Sequence, residues 1–289
     1  MRHNPTPMCR GCSQFNCESL GQLPDCSEFA GLALSTHIPG GILYRCRHCA
    51  LVFRSPILTV QEYGQLYARA AGQGWTPKPW TRRNDRALLR NYIEMQYPKG
   101  ARVLDIGCYT GEFLSSLPVK YEKFGIEKSV MAVQECHKRG IKIVGDDLYK
   151  IDLLAQRFDV VVAMDVIEHV LNPNQFLKNA LALLFNSGTV LITTGDADNP
   201  IWLNEKNAFW YCAPAEHISF ISRRWLKTNS NTSQFRIAHM QNFRYETPRY
   251  WKTIAIRCLS SLYSLLGRRP HPMWTAHVSE DHLFAAIRQ

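Results

Sequence analysis

The chain has 289 residues, 46% of them hydrophobic, and a formal net charge of +10 at pH 7. That length holds one full α/β domain plus a small accessory module, and the composition, without a long low-complexity run, is that of a soluble globular protein. The positive charge invites a nucleic-acid reading, but the basic groups TRRNDR, HKRG, SRRW and LLGRRP are short and scattered, so no DNA partner is expected and RNA is disfavoured.

The opening MRHNPTPMCR lacks the apolar core of a secretory leader, and no stretch reaches about 18 uninterrupted apolar residues, so the expected location is cytoplasmic. Six of the ten cysteines lie within the first 50 residues. Cys9 and Cys12 form one CxxC and Cys46 and Cys49 a second; each pair can present two thiolates to one metal, and two pairs complete a tetrahedral zinc site. LYRCRHCALVF has the pattern of a zinc-ribbon knuckle, a strand entering and a strand leaving the turn. Four thiolates leave no open coordination position, so this zinc is expected to be structural. Cys17, Cys26, His37 and His48 supply alternative ligands, and disulfides are the rival chemistry, disfavoured in a chain without a leader.

LTVQEYGQLYARA has helical spacing and sets Tyr63 and Tyr67 one turn apart, either as packing residues or as an aromatic cover over a bound molecule. GQGWTPKPWT breaks regular structure, and NDRALLRNYIEMQ resumes as a helix. Val103, Leu104 and Ile106 then suit a buried parallel strand with Asp105 near its carboxyl end, and Gly107 and Gly111 bracket a turn that lets the backbone approach a ligand. A dinucleotide fingerprint would need glycines where Tyr109 and Glu112 stand.

VLDIGCYTGEFL resembles motif I of class I S-adenosyl-L-methionine (SAM) dependent methyltransferases, an acid, one residue, then GxGxG, with Tyr109 in place of the middle glycine. The resemblance implies cofactor contacts from Asp105, Gly107, Cys108, Tyr109 and Gly111. KFGIEKS is a second strand ending in Glu127, 20 positions after Gly107, where a carboxylate can accept from both ribose hydroxyls. IKIVGDD makes a third strand ending at Asp146 and Asp147, and Asp146 is similar in place to the family residue that accepts from the adenine amino group. FDVVVAMD is the fourth strand; Met164 and Asp165 at its end, and the VIEHVLNP that follows, are similar to the family segment beside the sulfonium. TVLITT, FRIAHMQNF and DHLFAAIRQ read as strands five, six and seven.

Histidine suits removal of an acceptor proton because its reference pKa is near neutrality, which makes His169 in DVIEHV and His217 in APAEHISF the catalytic candidates, with Glu168 as an orienting or pocket residue. Trp202, Phe209, Trp210 and Tyr211 form either a substrate lid or an apolar insertion on the sheet. YWKTIAIRCLSSLYSLLGRR reads as a helix with basic ends, packing on its own domain or meeting a membrane surface or a partner protein.

The expected fold is α/β, a Rossmann-like seven-stranded methyltransferase sheet with a small N-terminal zinc-ribbon module. The expected division is residues 1–55 for the module, 56–99 for a helical linker or cap, and 100–289 for the methyltransferase domain with an inserted helix near 248–267. The layout is similar to zinc-bearing deoxysugar C-methyltransferases, though this chain is shorter than they are. The resemblance implies SAM-dependent methyl transfer to a hydroxyl or carbon of a small-molecule acceptor. No NPPY or DPPY sequence follows strand four, which argues against methylation of DNA base amines. Two rivals remain at this stage, an RNA-modifying methyltransferase that grips through its zinc ribbon and a non-catalytic scaffold with a degenerate cofactor pocket.

Overall fold

The computed structural model describes residues 6–70, 83–151, 157–231, 235–245, 258–259 and 280–289. The expected helix near 248–267 lies outside these residues apart from positions 258–259. Five strands come first: β1 (Cys17–Gln22), β2 (Cys26–Phe29), β3 (Leu32–Ile38), β4 (Ile42–Cys46) and β5 (Val52–Ser55). Helices α1 (Val60–Ala70) and α2 (Asn84–Gln96) lead to β6 (Arg102–Ile106), α3 (Glu112–Ser116), β7 (Glu122–Ile126), α4 (Val130–Lys138) and β8 (Lys142–Gly145). Then come β9 (Phe158–Met164), α5 (Pro173–Ala182), β10 (Leu184–Gly195), α6 (Pro200–Glu205), β11 (Ser219–Phe220), α7 (Arg223–Ser230), β12 (Arg236–Phe243) and β13 (His282–Arg288).

Seven strands form one sheet in the order β12-β13-β10-β9-β6-β7-β8. The five from β6 to β10 are parallel, whereas β13 runs antiparallel to both β10 and β12. This is the seven-stranded α/β sheet expected from the sequence, with each apolar run falling on its strand. The period of two along a strand divides it between two cores. Leu104, Ile106, Val161, Ala163, Val190 and Ile192 face one way and pack with α5 through Phe176, Leu177 and Ala180. Val103, Val160, Val162 and Leu191 face the other, against Leu89, Tyr92 and Ile93 of α2 and Phe113 and Leu114 of α3. The helices begin where short polar side chains satisfy their free N–H groups: Ser129 caps α4, Asn172 caps α5 ahead of Pro173, and Ser222 caps α7.

The N-terminal strands build a second sheet, β1-β4-β5-β11, whose last member comes from far along the chain. β11 lies antiparallel to β5, with Ser219 opposite Phe53 and Phe220 opposite Val52. Around this joint the aromatic insertion turns inward. Trp202, Phe209 and Tyr211 are buried with Leu23, Leu43, Val52 and Phe220, and the Trp202 and Phe209 rings stack at 4.8 Å. Of the two readings of that segment, the insertion packed as core is the one observed for these three residues. Among the described residues, no helix is long and apolar enough to cross a membrane.

Gly111 shows how tightly the turn after β6 is packed. It precedes α3 at φ +73°, and a Cβ there would lie 2.1 Å from Cδ1 of Ile141 and 3.2 Å from Sγ of Cys136. Its bareness therefore serves the packing of the turn against the loop after α4. Gly111→Ala combines a left-handed penalty with overpacking and is expected to lower stability by about 2–4 kcal/mol, read from urea unfolding midpoints.

Candidate active site and thiolate centre

Side chains from successive strand ends collect at the carboxyl edge of the parallel strands, where an open α/β sheet leaves its crevice. After β6, Gly107 takes φ +71° and Tyr109 takes φ +47°, a left-handed conformation that glycine would adopt without strain. The Tyr109 N–H donates to Oε2 of Glu127 at 2.8 Å, and the Ser129 N–H donates to Oε1 at 2.7 Å. Glu127, buried at the end of β7, thus keeps further lone pairs on both oxygens for a ligand's hydroxyls. Cys108 directs its thiol away from the crevice, 3.8 Å from Sγ of Cys136. Asp105 is buried, and neither carboxylate oxygen has a hydrogen-bond partner among the described residues. Burial, with the neighbouring Cys136 and Glu127, pushes its pKa well above the ordinary aspartate range.

The two acids after β8 diverge. Asp146 is exposed and pairs with Lys150 at 3.5 Å, while Asp147 accepts from the Tyr149 N–H and starts the short turn Leu148–Lys150. At the end of β9, Met164 is followed by Asp165 at φ +53°, whose Oδ2 accepts from Arg83 and from the Tyr245 hydroxyl, each at 2.7 Å. Burial opposes the charge of Asp165, but Arg83, His282 and the Tyr245 hydrogen bond outweigh it and hold its pKa low. Arg83 also pairs with buried Asp85 and lies 4.7 Å over the Tyr245 ring, and that ring stacks on His282 at 4.4 Å. Burial disfavours an imidazolium at His282, yet the hydrogen bond that its Nδ1–H donates to the Asp281 carboxylate raises its pKa.

Glu168 and His169 sit on a single tight turn, Ile167–His169, immediately beyond Asp165. Glu168 is fully buried; the Tyr211 hydroxyl donates to its Oε1 and the Thr194 hydroxyl to its Oε2, the latter at 3.0 Å. Burial, reinforced by Asp165, pushes Glu168 up to about 8, so it is mostly protonated at neutral pH. Nδ1 of His169 lies 3.1 Å from the Glu216 carbonyl and 3.1 Å from the Tyr67 hydroxyl. Nδ1 of His217 lies 2.8 Å from the Tyr211 carbonyl. A carbonyl only accepts, so each Nδ1 carries the proton and each Nε2 keeps a lone pair. Burial keeps both rings neutral, lowering the pKa of His169 and bringing that of His217 down to about 3. The rings meet edge to face at 4.9 Å, and ligand atoms of Glu168, His169 and His217 all lie within 4.8 Å of one another, close enough to converge on one polar atom of a bound molecule.

Spacing alone indicated Glu127, His169 and His217; it did not indicate Arg83, Thr194, Tyr245, Asp281 or His282. The contacts that bring them to the site, Arg83 and Tyr245 to Asp165, Thr194 to Glu168 and Asp281 to Trp210, are distant in sequence, and no local motif marks them. The two tyrosines of α1 separate in role: Tyr63 is buried near Phe29, and Tyr67 reaches His169.

In the N-terminal module, the sulfurs of Cys9, Cys12, Cys46 and Cys49 all lie within 4.8 Å of one another, with 3.6 Å between Cys9 and Cys49 and 3.5 Å between Cys12 and Cys46. A tetrahedral ion with metal–sulfur bonds of about 2.3 Å needs sulfurs about 3.8 Å apart, so this donor set fits zinc. The hydrogen bond from Cys49 brings Cys9 down to about 5, so a thiolate is already favoured in this cluster. Cys26 instead turns to the carbonyl of Ala213 at 3.3 Å.

Residues 80–239 match the family model described as "Methyltransferase domain". The chain is 32% identical over 112 residues to a ubiquinone biosynthesis O-methyltransferase of Coxiella burnetii (strain Dugway 5J108-111), covering 36% of this chain and 47% of that protein. It is 34% identical over 116 residues to the protein of the same name in Bradyrhizobium diazoefficiens, covering 38% and 46%. The chain thus spans about half the length of the curated relatives it matches. A solved structure of the plantazolicin methyltransferase BpumL in complex with SAH aligns at TM-score 0.47 and 17% identity, over 70% of this chain and 81% of that one.

The folded pKa of Glu168 lies above its unfolded value, so the stability tied to it is fully present below about pH 4 and is lost as pH rises toward 8. Glu168→Gln is expected to flatten that loss, seen as a smaller difference between urea unfolding free energies at pH 5 and pH 8 than in the wild type.

Proposed function

The chain belongs to the methyltransferase domain family, and from that premise we propose that it transfers a methyl group from SAM to a hydroxyl or carbon of a small-molecule acceptor. Glu127 is the observation that carries the reading. Its carboxylate stands at the end of the second parallel strand with the preceding turn tied to it by the Tyr109 N–H, and its remaining lone pairs suit the two hydroxyls of a ribose. SAM supplies an electrophilic methyl group on a sulfonium.

The residues present fit that molecule. Gly107, Cys108, Tyr109 and Gly111 would offer backbone along the turn, Glu127 would hold the ribose, Asp146 and Asp147 would lie toward the base, and Met164 and Asp165 would border the sulfonium. Asp105, buried without a hydrogen-bond partner among the described residues, would lie beside the turn that meets the cofactor. Tyr109 is compatible with this role because it already adopts the backbone conformation of the glycine it replaces.

Methyl transfer leaves the chain with two tasks, aligning the acceptor and taking its proton. The lone pairs on Nε2 of His169 and His217 suit the second task, with Glu168, mostly protonated, and Tyr67 fixing the neighbouring geometry. In this reading residues 1–55 form the zinc-bearing module, 56–99 the cap and 100–289 the catalytic domain. A reducing, cytoplasmic setting fits a cluster that needs four free thiolates.

Titration calorimetry with SAM tests the proposal. Wild type is expected to bind, and Glu127→Ala to lose about 10- to 100-fold in affinity, the worth of one or two charge-assisted hydrogen bonds. Binding by Tyr109→Gly but not by the wild type would instead favour a scaffold with a degenerate pocket. Once labelled SAM has identified an acceptor from a small-molecule panel, His217→Ala should cut turnover by about 10²- to 10⁴-fold with SAM affinity unchanged. Because His217 stays neutral down to about 3, its own titration should not slow the wild type between pH 7 and pH 5, unlike that of a solvent-exposed histidine base.

A further inference from the structure

The thiolate knuckle and the histidine pocket share one stretch of backbone. Arg10 lies between Cys9 and Cys12, and its guanidinium donates to the carbonyl of Arg54 and, at 3.3 Å, to that of Ile218. The N–H of Ile218 donates in turn to the Glu168 carbonyl at 2.9 Å. A single residue is thereby held between the knuckle on one side and the acid of the pocket on the other, and His217 is its immediate neighbour.

The rest of that stretch is held from the same direction. Arg54 is 1% exposed and donates to the carbonyls of Cys212 at 2.7 Å and Pro214 at 3.0 Å, while its own N–H donates to Ile218 at 3.1 Å. The pairing of β5 with β11 clamps Ser219 and Phe220. On the far side of the knuckle, the Asn174 amide donates to the Gly11 carbonyl at 2.5 Å, tying the same turn to α5. The knuckle packs with the sheet face that carries Leu104, Ile106, Val161 and Ala163, whereas Cys108 and α3 pack on the opposite face.

We propose that the zinc-thiolate knuckle acts as a positioning element for the acceptor half of the site, with Arg10 as the positioning residue that fixes the Ile218 peptide and so seats His217 beside Glu168. The assignment of that half to an acceptor rests on the methyltransferase reading; the mechanical link does not. With zinc bound, the Cys9–Cys12 turn is held by two of the four metal–sulfur bonds and cross-linked to Cys46 and Cys49, and Arg10 has a rigid base. Without it, the Cys9–Cys12 turn loses its cross-link to Cys46 and Cys49 and loosens, and the segment from Tyr211 to Phe220 loses its support while the turn after β6 keeps its own.

Hydrogen–deuterium exchange on the full chain, joined to histidine imidazole NMR, tests this. In zinc-loaded Arg10→Ala, exchange across residues 211–220 should rise by about tenfold or more, exchange across residues 108–117 on the opposite sheet face should match the wild type, and the His217 resonances should shift toward those of a solvent-exposed imidazole. Arg10→Lys should restore part of the protection, and zinc chelation should reproduce the pattern. SAM affinity should stay within about twofold of the wild type, because the cofactor half lies outside the link. Wild-type exchange across 211–220 in Arg10→Ala would overturn the inference, as would chelation that loosens 108–117 as much as 211–220. Failure of the wild type to bind SAM would overturn the methyltransferase reading instead, and the exchange data would still decide the link.

Discussion

Burial of carboxylates along one edge of a sheet is the constraint that organises this structure. Asp105, Glu127, Asp165, Glu168 and Asp196 lie buried or partly so at the carboxyl ends of strands or just beyond them, and Asp281 joins them at the start of antiparallel β13, where apolar walls make an unpaired charge costly. Each is accommodated differently. Backbone N–H groups serve Glu127, Arg83 and a tyrosine hydroxyl serve Asp165, and His282 with the Trp210 indole serves Asp281. Asp196 draws on the Asn242 amide and two backbone N–H groups. Glu168 keeps its proton, and Asp105 has no partner within the described protein. A sheet edge that held only structural residues would have no reason to collect so many acids, and their varied protonation gives the crevice both donors and acceptors.

The crevice also divides by origin. Its left-hand contacts come from the turns after β6, β7 and β8, which are local and close in sequence. Its right-hand contacts come from the Ile167–His169 turn, from the stretch 211–220 and from α1, and depend on the N-terminal module for their placement. A fold can therefore keep the first set constant while varying the second, which is how one sheet serves many acceptors.

The local half was legible in the sequence because each signal there is short range. Alternation along Val103–Ile106 and the valine run of β9 announce buried strands, and an acid at a fixed distance from a glycine turn announces Glu127. The Cys9, Cys12, Cys46 and Cys49 cluster was legible for the same reason, since a CxxC fixes its own geometry. In the other half His169, His217 and Glu168 were legible as residues, but their contacts were not. Tyr211 meets Glu168, Tyr67 meets His169, and Arg83 meets Asp165 across 43, 102 and 82 positions, and nothing in the local pattern distinguishes those tyrosines from core aromatics. β11 is two residues long, below the length at which alternation can be read, yet it joins the two sheets. Gly111 carries a different lesson: on the side where a Cβ would stand the turn packs against Ile141, a reason for glycine that the sequence did not reveal.

The fixed tautomers of the two pocket histidines have a consequence for timing. With each Nδ1–H committed to a backbone carbonyl, neither ring can pass a proton through to its far side without breaking that bond. Nε2 is then the sole doorway, and a proton accepted there must leave by the way it entered. For the proposed reaction, the base is reset only when that doorway meets solvent again, which ties proton release to departure of the product.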